Sequence, residues 1–296
     1  MLGSRRKSAQ VIRAFFPMSP RYYAPALLLL CSVLWSLGGV LIKSVDWHPM
    51  AIAGMRSAIA IPVIAACVGW PRWPFSRLEI AGAVAYAATV VLFVLATRLT
   101  TAANAIFLQY TAPIYVAALG HWLLGERALK SDWLIIAVAL AGIALFFVDR
   151  LSLAGMWGNA LALASGVAFA ATVLLLRKQR DASPVSAIIL GNILAAVAGL
   201  PFMIHGPFPS TAGWAALAVL GVVQLGLPYV LYSIAIQRVR ALEAVLIPLL
   251  EPILNPLWVM LLVGERPTGW ALAGAALVIG AVLLRGLLMV LARGGA

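Results

Sequence analysis

Two ionisable side chains sit deep inside apolar runs, where a charge is hardest to keep. Arg56 lies midway along the run 47–69, and Glu251 midway along the run 241–263. Each run is close to the ~20 residues that a helix needs to cross a bilayer. An ionised group at the centre of such a helix costs about 2.5–3.5 kcal/mol on insertion scales, so it faces a partner or a wet cavity. Arg56 and Glu251 therefore either pair with each other or face one polar hollow, where a guanidinium would attract a carboxylate ligand. A purely structural ion pair joining two helices is the alternative.

Polar and aromatic residues fall on helical faces in the neighbouring runs. Ser32, Trp35, Ser36 and Gly39 follow i, i+3, i+4, i+7 spacing, and Tyr86, Thr89 and Phe93 align similarly. Gln109, Tyr110, Thr111 and Tyr115 form a looser group, as do Gln224, Tyr229, Tyr232 and Ser233. Rings for stacking and hydroxyls or amides for hydrogen bonding suit an aromatic zwitterion, with Trp35, Tyr86 and Tyr110 as the central set. Each aromatic alone is equally at home as packing. Pro248, Pro252 and Pro256 recur every four residues around Glu251. Each removes a backbone donor and frees an upstream carbonyl, so that helix bends or loosens, either to line a path or as a static kink.

Other chemistries lack their residues. There is no HExxH, no phosphate-binding Gly loop and no ATP-binding motif. His48, His121 and His205 are dispersed near the ends of apolar runs. Cys31 and Cys67 have no CxxC spacing and read as small hydrophobes. No metal, no cofactor and no enzyme activity is expected, and neither charge rings nor filter-like loops point to a channel. The net charge of +12 does not indicate nucleic acid, because Lys and Arg punctuate the ends of apolar runs instead of lining one face. There they serve orientation and contact with anionic lipid.

The elements that position these residues are membrane spans. Apolar residues make up 64% of the 296 positions and charged residues 10%, too little polar surface for a water-soluble fold. Spans are expected near 23–43, 47–69, 78–98, 101–123, 131–148, 155–177, 184–204, 212–236, 241–263 and 268–291. With the N-terminus in the cytoplasm, sixteen Lys and Arg fall on the cytoplasmic side and four (Lys43, Arg98, Arg150, Arg266) on the other, leaving Arg56 within a span. That asymmetry places both termini in the cytoplasm of a multi-pass inner-membrane protein. Eight tryptophans, from Trp47 to Trp270, mark span ends, where an indole sits best at headgroup level.

A repeat organises the spans. Ala105, Pro113 and Gly125-Glu126-Arg127 recur, at a constant offset of 139, as Ala244, Pro252 and Gly264-Glu265-Arg266. Pro49 and Pro184 open the second span of each half. The expected division is a tail over 1–22, a first five-helix repeat over 23–150 and a second over 151–296. An odd number of spans per repeat inverts the second copy, and the two halves are then related by an axis in the membrane plane, the basis of alternating access in secondary transporters. The fold class is an all-α membrane protein of ten transmembrane helices in two inverted five-helix repeats. Glu126 and Glu265 are expected as turn and helix-end residues.

Gln109-Tyr110-Thr111-Ala112-Pro113 running to Leu124-Gly125-Glu126-Arg127, and Leu250-Glu251-Pro252 running to Val263-Gly264-Glu265-Arg266, resemble the drug/metabolite transporter superfamily, in its ten-helix branch with duplicated EamA domains. The resemblance covers the chain after the tail and is strongest to bacterial aromatic amino-acid exporters of that family. It implies export of small metabolites from cytoplasm to periplasm. It further implies a cavity lined mainly by helices 1, 3, 4, 6, 8 and 9, with helices 5 and 10 as supports. The expected substrate-binding residues are Ser32, Trp35, Ser36, Tyr86, Gln109, Tyr110, Gln224 and Glu251. Arg56, Pro113, Pro248, Pro252 and Pro256 are the expected structural or coupling residues. Phenylalanine, tyrosine and tryptophan are the expected substrates, other amino acids, cationic drugs and nucleosides the competing ones, and protons the candidate coupling ion.

Overall fold

The computed structural model describes residues 20–71, 73–146, 148, 155–205, 207–254 and 268–294. Pro256, Trp258, the second Gly-Glu-Arg turn and residues 1–19 of the N-terminal tail lie outside them. The described residues form helices and connecting turns, with no strand. In chain order these are α1 (Pro20–Trp35), α2 (Gly38–Ser44), α3 (Pro49–Val68), α4 (Arg77–Leu99), α5 (Ala102–Gln109), α6 (Ala112–Leu124) and α7 (Lys130–Phe146). There follow α8 (Met156–Lys178), α9 (Pro184–Ile204), α10 (Thr211–Val219), a π-helical segment (Leu220–Gly226), α11 (Leu227–Ala235), α12 (Ala241–Leu246), a 3-10 turn (Ile247–Leu250) and α13 (Gly269–Gly294).

Among the described residues, seven stretches are long and apolar enough to cross a membrane: Tyr23–Ser44, Pro49–Val68, Arg77–Leu99, Met156–Lys178, Pro184–Ile204, Thr211–Ala235 and Gly269–Leu288. Half or less of each is buried within the protein, so the remaining apolar surface requires lipid. The other three expected spans are also helical where described. The fourth is interrupted between α5 and α6, the fifth is the 17-residue α7, and the ninth is described only to residue 254.

Local chemistry sets the helix ends. Ser76 and Glu79 form a reciprocal capping box at α4, with Glu79 N–H donating to Ser76 Oγ over 3.2 Å and Ser76 N–H donating to Glu79 Oε2 over 2.8 Å. The Thr101 and Ser210 hydroxyls cap α5 and α10. Gly125 closes α6 at φ 71°, a left-handed conformation that a residue with a Cβ adopts at a cost. Tryptophans 70, 73, 122, 157 and 270 are exposed at helix ends as an interfacial belt requires, whereas Trp47 is buried against Trp214, 5.8 Å between ring centroids. Cys31 is buried and Cys67 exposed, both free thiols.

Helices of the first part of the chain pack mainly on helices of the second. The main pairs are α4 with α8, α3 with α9, and α7 with α13, and smaller ones join α1 to α11 and α3 to the π-helical segment. Small residues let these backbones approach. A Cβ on Gly199 would lie 2.6 Å from the Met50 carbonyl oxygen, and one on Gly142 would lie 3.0 Å from that of Gly274.

One end of the bundle is held by buried charges. Arg177 of α8 pairs with Glu126 at 2.8 Å and donates to the carbonyls of Ile236 and Gln237 at 3.0 and 3.1 Å. The second oxygen of Glu126 accepts the Ala241 N–H at 2.8 Å. Arg285 of α13 reaches Asp132 at 2.9 Å and Glu243 at 3.6 Å. Glu126 is thus a turn residue as expected, and it also ties the α6–α7 turn to α8 and to the start of α12.

Candidate functional site

Among the described residues, four breaks in helix geometry lie at or beside residues that line one cavity. The first span is interrupted over Ser36-Leu37 between α1 and α2, the fourth over Tyr110-Thr111 between α5 and α6. Pro113 explains the second break, because it offers no N–H to the Gln109 carbonyl. In the eighth span the Leu227 N–H reaches five residues back to the Val222 carbonyl, a π-type bond in the segment that carries Gln224, with Pro228 removing the next donor. In the ninth, α12 tightens into the 3-10 turn just before Glu251.

These breaks and the unbroken helices beside them enclose a cavity of about 440 Å³, its open mouth included. Trp35, Gln109, Tyr110, Gln224, Leu225 and Glu251 line it from at or beside the breaks. Arg56 lines it from α3, Thr89, Val90 and Phe93 from α4, Phe169 from α8 and Tyr229 from α11. Non-helical backbone at membrane depth is tolerated where it borders such a hollow.

One wall is aromatic. The Trp35 ring lies 5.3 Å from Tyr229, 5.5 Å from Tyr232 and 6.2 Å from Phe169, the last edge-on. Tyr86 stands 4.6 Å behind Tyr229, edge to face. Such contacts fix ring orientation as well as filling space.

The polar wall is cationic at one point and acidic at another. Arg56 is 2% exposed and has no acidic partner within ion-pair distance among the described residues. Its Nη1 donates to Gln224 Oε1 at 3.2 Å and its Nη2 to the Val90 carbonyl at 2.9 Å, while Nε has no partner among the described residues. Glu251 is 8% exposed and is held by the Tyr110 hydroxyl. Arg56 and Glu251 both line the cavity, and no ion pair joins them. Gln109 Nε2 donates to Ser165 Oγ at 2.7 Å, and Ser165 in turn donates to the Thr89 carbonyl at 3.1 Å, so the floor is a connected network.

The expected site residues divide accordingly. Trp35, Gln109, Tyr110, Gln224, Glu251 and Arg56 converge on the cavity. Ser32, Ser36 and Tyr86 are buried outside its lining. Ser32 donates to the Leu28 carbonyl at 3.0 Å and Ser36 to that of Val33 at 2.6 Å, back-bonds within their own span. The Tyr86 hydroxyl accepts from Asn192 Nδ2 at 2.9 Å. Pro113 sits at the start of α6, while Pro256 lies outside the described residues. Phe169 carries no sequence signal beyond its helical register with Ser165 and Thr172.

The prolines beside Glu251 have a defined consequence. Pro248 denies a donor to the Ala244 carbonyl and Pro252 denies one to the Pro248 carbonyl. The first is taken by the Tyr232 hydroxyl at 3.2 Å, the second by the Tyr110 hydroxyl at 2.9 Å. The freed carbonyls thus serve as anchors for tyrosines of neighbouring spans.

The sequence profile of the EamA-like transporter family matches residues 23–148 and again 156–287. The chain belongs to the EamA-like transporter family. It is a multi-pass membrane transporter, with a small-molecule substrate and the lipid bilayer as its surroundings. An uncharacterized transporter of Archaeoglobus fulgidus is 28% identical over 267 residues, 88% of this chain and 96% of that one. A solved crystal structure superposes with a TM-score of 0.77 at 21% identity, over 91% of this chain and 99% of that one, a likeness of fold alone.

Proposed function

We propose that this EamA-like transporter exports aromatic amino acids across a bacterial inner membrane by alternating access. The observation that carries the substrate class is Arg56: a buried guanidinium with no acidic partner among the described residues, lining a cavity that also has an aromatic wall. An uncompensated buried cation is costly, and a substrate carboxylate is the complement that relieves it. Glu251, lining the same hollow, offers a carboxyl oxygen that can accept a hydrogen bond from the substrate ammonium, and Trp35, Phe169 and Tyr229 suit its ring. The fixed positive charge disfavours cationic drugs, and nucleosides offer no carboxylate.

Ten spans in two inverted halves, 23–150 and 151–296, are the architecture of this reading. The packing pairs support it: exchanging the first and second five spans turns the α4–α8 pair into α11–α1, and α3 with the π-helical segment into α9 with α4. The 3-10 turn at 247–250 falls, at the offset of 139, on residues 108–111, where the fourth span is also interrupted. Halves with interchangeable partners can swap conformations and open the hollow to either face. The Lys and Arg asymmetry puts both termini in the cytoplasm.

The test is flux into liposomes carrying purified protein. Phenylalanine and tryptophan should exchange, lysine should not, and phenethylamine, which lacks the carboxylate, should compete poorly. Phenethylamine competing as well as phenylalanine would remove Arg56 from recognition and the substrate class with it.

A further inference from the structure

The Tyr110 hydroxyl has one hydrogen and faces two acceptors. One is the carboxyl of Glu251 and the other is the Pro248 carbonyl, at 2.9 Å. Were Glu251 ionised, it would demand that hydrogen, because a charged acceptor outcompetes a neutral one. The Pro248 carbonyl would then keep only the short-range bond from the Glu251 N–H, since residue 252 is a proline. A protonated Glu251 satisfies everything at once: its own O–H donates to the Tyr110 oxygen, and Tyr110 donates to the Pro248 carbonyl.

The surroundings point the same way. Among the described residues Glu251 has no ion-pair partner. Cys31 of α1, Tyr110 between α5 and α6, and Tyr229 of α11 are the titratable groups nearest to it, with Arg56 of α3 on the same cavity. None is an acid that would share a proton with it or a base in contact that would compensate its charge.

We propose that Glu251 is a proton-binding site whose occupancy is passed, by reorientation of the Tyr110 hydroxyl, to the 3-10 joint at Ile247–Leu250. The proton that leaves the Glu251 carboxyl goes to cavity water. Tyr110 keeps its own hydrogen and turns it from the Pro248 carbonyl to the carboxylate. The joint then loses the bond that fastens it to the break between α5 and α6. Tyr232, bound to the Ala244 carbonyl one turn earlier, is not involved in the exchange and holds α12 in both states. The proposal uses the same cavity as the transport reading but is independent of which substrate it holds.

Two measurements on substrate-free protein in lipid nanodiscs test it, so neither depends on the aromatic substrate class. In infrared difference spectra between neutral and alkaline pH, a protonated-carboxyl band should disappear on the alkaline side. It should be missing in E251Q and displaced in frequency in Y110F, which lacks the acceptor. In hydrogen–deuterium exchange, corrected for the chemical dependence on pH, the peptide spanning residues 244–254 should exchange roughly tenfold faster in the alkaline state. E251Q should keep it slow throughout. Absence of a band assignable to Glu251 at neutral pH overturns the proton site. An exchange rate in E251Q that rises as in the unaltered protein overturns the link to the joint.

Discussion

Arg56 Nη1 donates to Gln224 Oε1 over 3.2 Å, joining α3 to the π-helical segment of the eighth span across the edge of the cavity. The pairing is made possible by an irregularity. The π-type register turns Gln224 and Leu225 into the cavity lining together, and Gly38 leaves room beside the Gln224 amide, since a Cβ there would lie 2.8 Å from Nε2. A cation, an amide and an absent side chain on three spans thus form one feature.

Replacing Arg56 by Gln removes the charge and keeps a polar amide on a shorter side chain, which gives up the bond from Nη2 to the Val90 carbonyl. Charge-assisted bonds contribute about 1.5–3 kcal/mol, so affinity for phenylalanine should fall by about 10- to 100-fold. Affinity for phenethylamine should change by less than about threefold, because that ligand offers no carboxylate. Equilibrium binding of both ligands to both proteins closes the cycle, and equal losses for the two would show that Arg56 acts on structure alone.

Tyr232→Phe isolates the other proline-freed carbonyl. Ala244 would lose the hydroxyl at 3.2 Å and keep no donor from residue 248. Stability should fall by about 1 kcal/mol, the net value of one such bond. Unfolding in detergent should show this loss, while the infrared carboxyl band assigned to Glu251 stays in place. A displaced band would mean that the two tyrosines act as one network.

How much of this was legible in the sequence follows from what a local pattern can carry. Arg56 and Glu251 were legible because a charge in an apolar run violates its surroundings regardless of neighbours. The proline spacing at 248 and 252 foretold a loosened helix, but not that Tyr110 and Tyr232 would take the freed carbonyls, which is a relation across spans. Tyr86 shares a helical stripe with Thr89 and Phe93, yet it lies one turn beyond the cavity, and Asn192 on α9 takes its hydroxyl. Ser32 and Ser36 satisfy their hydroxyls within their own span, an option open to any membrane serine. Phe169 reads as packing because an aromatic in an apolar helix violates nothing. Arg177 and Arg285, which orientation rules treat as loop charges, are buried in ion pairs with distant segments.

Gly199 and Gly280 should respond in opposite directions to the same change. A Cβ on Gly199 would press on the Met50 carbonyl oxygen at 2.6 Å and on the Gly54 Cα at 2.7 Å, backbone that has no room to yield. Gly199→Ala should destabilise by about 1–3 kcal/mol, as overpacking does. Around Gly280 nothing lies within 4 Å of an added Cβ, so Gly280→Ala in α13 should gain up to about 1 kcal/mol from helix propensity. Thermal unfolding of the two variants beside the parent decides it, and a neutral Gly199→Ala would show that α3 and α9 are free to separate.

The charge cluster around Glu126 closes one end of the bundle and should act as a barrier to the cavity. Glu126 binds Arg177 through one oxygen and the Ala241 N–H through the other, so one carboxylate holds the α6–α7 turn, α8 and α12 together. Breaking a buried pair from one side leaves Arg177 uncompensated and raises the energy of the closed arrangement. In a Thr89→Cys reporter with Cys31 and Cys67 replaced by Ala, Glu126→Gln should raise labelling by a membrane-impermeant thiol reagent about tenfold from the face that carries residue 126. Labelling from the opposite face should fall, since the two openings exclude each other in alternating access. Faster labelling from both faces would mean that the cluster maintains packing in general and gates neither side.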